Sequence, residues 1–289
     1  MLRGAVQITA SSVRYSVVSS DRSQPGTVTA GFREVATLTG DPGEVEAAIA
    51  EGVESARVAG AERVDLLAAP ELKGTRLASR LRIGSRRLGT GVPVFTGGGA
   101  AIAASFISST TSLDLDGGTG VEPLTCGVLG IGDHSIGLAV GRPGETPSWV
   151  GSRPVGLTRL AERSRISDPP EPSQLIAARS AVERALGSFS ATGVDLLVSV
   201  SDFSQATRII CGERIDREAL LGALDDLVGM TADQLGATVG LGTRLARLFP
   251  LALVAQLGAV ATFGVDLVPL DPDPAGLGIA LGEASGVGT

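Results

Sequence analysis

Apolar residues recur along the chain in two alternating rhythms, short unbroken runs and longer stretches of helical period, and this alternation predicts an α/β protein with parallel strand pairs. Val128-Leu129-Gly130-Ile131 and Ile136-Gly137-Leu138-Ala139-Val140 are two such runs, joined by Gly132-Asp133-His134-Ser135, and they read as a β-hairpin with a tight turn. Ala5 to Val18 repeats the theme as two strands around Thr9-Ala10-Ser11-Ser12, a weak internal duplication. Gly31–Leu38, Val64–Ala69, Val92–Thr96, Asp195–Val200 and Val265–Leu270 are further strand candidates. Helices are expected over Asp41–Val58, where Pro42 lies just inside the start, over Leu72–Leu88, and over Ala100–Ser109 after the Gly97-Gly98-Gly99 break. Others are expected from Ser173, as N-cap, to Gly187, over Asp216–Val228, and over Leu245–Phe263, with a capping box at Thr231 and Gln234. The Gly-rich polar break Asp114–Glu122 divides the chain into domains at 1–120 and 121–289.

Composition changes this picture only at the margins. Among the 289 residues 43% are hydrophobic and 19% charged, so a packed globular protein is expected, with a core of Val, Leu, Ile and Ala because aromatics are 3%. A net charge of −7 argues against a nucleic-acid partner, whose binding rests on Lys and Arg meeting phosphates. The cluster Arg76, Arg80, Arg82, Arg86 and Arg87 is a local exception, read either as a solvated helix face or as an anion-attracting patch. Cys126 and Cys211 lie far apart and suggest neither a metal site nor a disulfide, and His134 is the one histidine. Leu248–Val265 is long enough to cross a membrane, but Pro250, Gln256, Gly258, Thr262 and Gly264 favour a buried core helix. A cytoplasmic protein without membrane or nucleic-acid partner is expected.

Three loops carry candidate chemistry. Gly-rich turns let backbone N–H groups approach an anion and form a nest around it. The turn at Gly132, Asp133, His134 and Ser135 is one such candidate, Ser11 and Ser12 belong to a second, and Ser201-Asp202-Phe203-Ser204 after a buried strand is a third.

The order of these loops, with the run from Pro154 through Gly156, Arg159-Leu160 and Glu162 and then Pro169-Pro170, resembles the Ppx/GppA family of exopolyphosphatases and guanosine pentaphosphate phosphohydrolases. The resemblance extends from Val6 to about Glu283 and includes Leu241–Leu253 and a closing segment at Gly276–Gly282. It implies two actin-like domains of the ribonuclease H-like (ASKHA) class flanking a central cleft. It also implies where the chemistry would sit. The family's first-loop Asp falls on Gln7, and its Gly and acidic pair fall on Gly97 to Ala101, with the acids at Gly99 and Ala100. The Asp and Glu of its central DIGGGSTE loop fall on Gly130 and Gly137, and its third loop, Gly-Gly-Thr, falls on Ser201-Asp202-Phe203. Phe203 is expected to fill space that phosphate oxygens would need, while Gly97, Gly98, Gly132 and Ser135 remain as loop residues.

Phosphoanhydride hydrolysis needs N–H donors for phosphate, carboxylates for a hard cation, and a carboxylate to orient water. No carboxylate lies between Glu71 and Asp114. The resemblance with these losses implies a pseudoenzyme of binding or regulatory role, with no cofactor, and with Mg²⁺ only if activity survives. Two alternatives stand beside it: an active phosphohydrolase whose metal site has moved to Asp133 and Asp202, and a sensor that holds a nucleotide or anion without turnover. Expected partners are a second copy or a true family enzyme, and expected ligands are polyphosphate or a guanosine polyphosphate.

Overall fold

A computed structural model describes residues 2–19, 27–37, 40–96, 98–111, 124–189, 193–273 and 276. It divides into two compact units, Met1–Asp114 with Asp273–Thr289, and Leu115–Pro272. Asp273 Oδ1 accepts a hydrogen bond from Ser16 Oγ at 2.6 Å inside the first unit.

The first unit runs β1 (Leu2–Ile8), β2 (Ser12–Ser19), β3 (Thr27–Glu34), α1 (Pro42–Val58), β4 (Arg63–Ala68), α2 (Arg76–Arg87), β5 (Val94–Phe95) and α3 (Gly98–Thr111). Its sheet has the order β3-β2-β1-β4-β5, antiparallel over the first three strands and parallel over β1, β4 and β5. The alternation in β1 and β2 puts Val6, Ile8, Val13 and Val17 on one face, where Val45, Ile49 and Val53 of α1 cover them. Ala5, Val18 and Leu67 face the other way, against Ala104 of α3.

The second unit runs β6 (Cys126–Ile131), β7 (Ile136–Gly141), β8 (Trp149–Arg153), α4 (Leu157–Ser164), α5 (Pro172–Leu186), β9 (Leu196–Val200), α6 (Ser204–Cys211), α7 (Arg217–Leu227), α8 (Ala232–Val239), α9 (Thr243–Phe263) and β10 (Leu267–Leu270). Its sheet, read from β8, has the order β8-β7-β6-β9-β10 with the same antiparallel and parallel pairings as the first. Each unit is therefore a ribonuclease H-like, actin-like half, and the duplication seen in the sequence is a duplication of sheet topology. α9 is the core helix of this half. It is the one helix among the described residues long and apolar enough to cross a membrane, and 78% of its most apolar window is buried.

Several boundaries differ from the sequence reading. β3 covers Thr27–Glu34 rather than Gly31–Leu38, because its ladder to β2 pairs Ser12 with Glu34 and continues back to Thr27. α2 starts at Arg76, since Thr75 Oγ1 accepts from Ala78 N and caps it there. α5 starts at Pro172 with Glu171, not Ser173, as its N-cap. Gln174 fixes that start: its Oε1 accepts from Glu171 N at 3.0 Å and from Ser167 N at 3.1 Å, and its Nε2 donates to Arg165 O at 2.9 Å. The loop so held carries Asp168, whose Oδ1 accepts from Ala232 N at 2.8 Å and caps α8 from outside. The capping box of Thr231 and Gln234 is present. The closing segment Gly276–Gly282 lies, beyond Gly276, outside the described residues.

Candidate functional site

The two hairpin loops occupy equivalent places in the two halves. Ile8 pairs with Val13 across the first hairpin and Ile131 with Ile136 across the second, so Thr9 to Ser12 corresponds to Gly132 to Ser135. Each loop is closed by the same bond, Thr9 N to Ser12 O at 2.9 Å and Gly132 N to Ser135 O at 3.0 Å.

In the first loop the donors turn inward. Thr9 Oγ1 accepts from Ser12 N at 3.0 Å and from Ser11 N at 3.3 Å, and lies 2.8 Å from Ser12 Oγ. A hydroxyl oxygen thus stands where two consecutive N–H groups converge, the place an anion's oxygen takes in a nest. The segment after β3 straps the loop from outside: Val35 N donates to Ser11 O, Thr37 N to Ala10 O, and Thr37 Oγ1 to Thr9 O. Ala10, Ser11 and Ser12 are buried.

In the second loop it is the acceptors that are engaged. Gly156, the N-cap of α4, has no side chain to cap the helix, and the loop supplies the acceptors instead. Leu157 N donates to Gly132 O at 3.0 Å and Thr158 N to Asp133 O at 2.9 Å. The approach is so close that a Cβ on Gly156 would fall 2.3 Å from His134 N and 2.4 Å from Asp133 O. Asp133, His134 and Ser135 remain half-buried, and Gly132 is exposed.

The positions that answer to the family's acids lie on the adjoining strands. Gln7 of β1 is half-buried and faces Arg14 across the ladder. Gly130 of β6 faces Gly137 of β7 as a cross-strand pair, so the equivalent place in the second hairpin presents two residues without side chains. Gly99 and Ala100 stand exposed in the first turn of α3, which begins at Gly98; Gly97 lies outside the described residues, as does the side-chain environment of Gly98.

The third loop differs from its reading in one respect. Phe203 does not occupy loop space: it is 2% exposed and stacks on Phe249 of α9, ring centroids 6.2 Å apart and 21° between planes. The reason is position. Phe203 is the N-cap residue of α6 and its side chain follows β9 into the apolar core. Ser201 and Ser204 are also buried, and Ser204 Oγ donates to Leu270 O at 2.7 Å, tying this loop to β10. Asp202 is half-buried between them in sequence.

Sequence reasoning missed the Thr9 hydroxyl as acceptor, Asp168 as the cap of α8, and the buried Gln256 of α9. Gln256 Nε2 donates to Ser199 Oγ and Thr207 Oγ1, each at 3.3 Å. A Thr three residues before a Ser within a turn was the available signal for the first.

No three His, Cys, Asp or Glu side chains cluster to hold a metal ion among the described residues. A hard divalent cation takes several oxygen ligands, carboxylates among them. The residues present at the family's acid positions, Gln7, Gly99, Ala100, Gly130 and Gly137, do not fit Mg²⁺. Neither thiol is an activated nucleophile. Burial, with Asp195 adding to it, pushes the Cys126 thiol from 9.0 up to about 11, and burial pushes Cys211 to about 11. Because the folded values exceed the unfolded one, the stability from these buried thiols is full below pH 9 and is lost as pH rises through about 11. Denaturant midpoints measured from pH 8 to 11 are expected to fall more steeply for this chain than for a Cys126→Ala/Cys211→Ala variant; parallel curves would refute the shifts.

No protein-family model matches the sequence, and no curated protein sequence matches it. Solved structures do. A Ppx/GppA family member from Aquifex aeolicus superposes with a TM-score of 0.78 at 15% identity, over 100% of this chain and 99% of that one. An exopolyphosphatase from Cytophaga hutchinsonii superposes with a TM-score of 0.73 at 14% identity over 100% of both chains. An exopolyphosphatase-like protein gives 0.71 at 17% identity, over 99% of this chain and 100% of the other. The chain therefore has the fold of the Ppx/GppA phosphatases from end to end, as the order of its loops implied.

Proposed function

We propose that this chain is a divergent Ppx/GppA-family protein whose hairpin loops have become closed structural turns, and that it acts by binding rather than by hydrolysis. The observation that carries this reading is Thr9 Oγ1, which takes the Ser11 and Ser12 N–H groups that a phosphate oxygen would need. The side-chain-free pair Gly130 and Gly137 and the acid-free start of α3 support it from separate parts of the chain. Without clustered carboxylates among the described residues, those residues offer neither a seat for a metal ion nor a base to align water. The protein is soluble and cytoplasmic in this reading, and its partner is a second copy or a true family enzyme.

Two experiments test it. Phosphate release from long-chain polyphosphate and from pppGpp, with Mg²⁺ or Mn²⁺, is expected to stay at the level without protein. Metal-dependent release that disappears in an Asp133→Ala/Asp202→Ala variant would overturn the proposal and assign a relocated site to those acids. Thr9→Val keeps the shape and removes the acceptor, so a loss of about 1–3 kcal/mol in urea unfolding is expected from the stranded N–H groups. An unchanged stability would show that the hydroxyl does not close the loop.

A further inference from the structure

In the first unit α1 and α2 leave an open groove of 320 Å³ between them. Ile49, Ala50, Leu81 and Leu88 make its lining apolar, and Ile83 stands beside them 64% exposed. Arg80 and Arg87 add cationic groups to the same lining; Arg80 is held by Glu46, with Nη2 3.0 Å from Oε2. Gly84 lies in the groove, inside α2, and a Cβ built on it would meet nothing within 4 Å. Glycine in a helix interior costs stability relative to alanine, and here neither a tight intramolecular approach nor a left-handed backbone calls for it. What Gly84 provides is open space on the solvent side of a helix.

We propose that this groove receives an acidic amphipathic helix of a partner protein. Its volume is roughly twice the ~150 Å³ cavity that holds one benzene, which suits two apolar side chains. A helix supplies such a pair one turn apart, at i and i+4, and a groove between two helices is a common seat for one. The charge selects the rest of the partner. The chain carries −7 overall, yet α2 bears Arg76, Arg80, Arg82, Arg86 and Arg87 and no acid. α1 on the facing wall carries Glu44, Glu46, Glu51 and Glu54, but of the charged groups in the lining Glu46 and Arg80 pair with each other, and Arg87, which makes no ion pair among the described residues, is left uncompensated. Asp or Glu beside the two apolar anchors complements it, and arginine is among the residues that protein interfaces favour. The inference uses none of the hairpin loops and holds whether or not the chain hydrolyses phosphate.

The test is a random 16-residue peptide library displayed on phage, panned on the full chain and counter-selected on its Gly84→Trp variant, in which the indole fills the groove. Clones carrying two large apolar residues four apart with neighbouring Asp or Glu are expected. The corresponding synthetic peptide should lose tenfold or more in affinity for Gly84→Trp and for Arg87→Glu. Gly84→Ala should raise the melting temperature while weakening the peptide. Should Gly84→Trp fail to fold, Arg87→Glu serves as the counter-selection. Enrichment of basic or uncharged clones, or of none that distinguishes the variants, would overturn the proposal. So would self-association of the chain in sedimentation that Gly84→Trp abolishes, which would assign the groove to a second copy.

Discussion

Phe203→Ala is expected to destabilise the second unit by about 3–5 kcal/mol, the usual cost of deleting a buried aromatic ring. Phe203 is 2% exposed and stacks on Phe249, itself fully buried in α9, so the truncation opens a cavity between α6, α9 and β9. Urea unfolding of wild type and variant measures the loss. The same variant separates a core residue from a plug. If the ring blocked an anion site, removing it would create affinity for pyrophosphate, readable by calorimetric titration. None is expected, because Ser201 and Ser204 beneath it remain engaged with each other and with Leu270 O. A variant that bound pyrophosphate and kept its stability would refute the packing described.

Gly156→Ala is expected to cost about 3 kcal/mol, the upper part of the range for forced overpacking. The added carbon would fall 2.3–2.4 Å from backbone atoms of His134 and Asp133, and backbone cannot swing aside as a flexible side chain can. The helix must then retreat from the hairpin, which breaks Leu157 N to Gly132 O and Thr158 N to Asp133 O. Amide exchange should therefore accelerate at Leu157 and Thr158 ahead of the rest of α4. A loss under about 1 kcal/mol with protected amides at both positions would show that the loop and helix are less tightly joined than the geometry requires.

Much of the architecture was legible because period-2 and period-3.6 patterns are strong in this chain. α1 is legible within a residue of its start, the first hairpin from the spacing of Val6, Ile8, Val13 and Val17, and the second from the unbroken apolar runs that flank Gly132 to Ser135. β8 was not read. Trp149-Val150-Gly151-Ser152-Arg153 has no apolar alternation, and it is a strand because β7 offers it a ladder. α4 and α6 are eight residues each, too short for their period to stand out. The positions of the candidate loops were legible; the partners of their hydrogen-bonding groups were not. Nothing in the string Thr9-Ala10-Ser11-Ser12 says that the hydroxyl turns back on its own backbone rather than outward, or that carbonyls of residues 132 and 133 cap a helix that starts 25 positions downstream. Phe203 was misplaced for the same reason: its direction depends on which side of β9 carries α9.

α9 has a consequence for how the chain is made. It is the longest helix of the described residues and apolar enough to suit a lipid bilayer, so while unshielded it presents a surface that insertion machinery or another nascent chain could capture. Synthesis runs from the N-terminus, and the elements of its core cluster other than β10, from β6 through α8, precede it. When Thr243–Phe263 emerges, the residues of β6 through α8 that pack on it, with Ser199 and Thr207 that Gln256 meets, have already been synthesised. Chain order thus shortens the time for which the most apolar long helix of the half is without its partners.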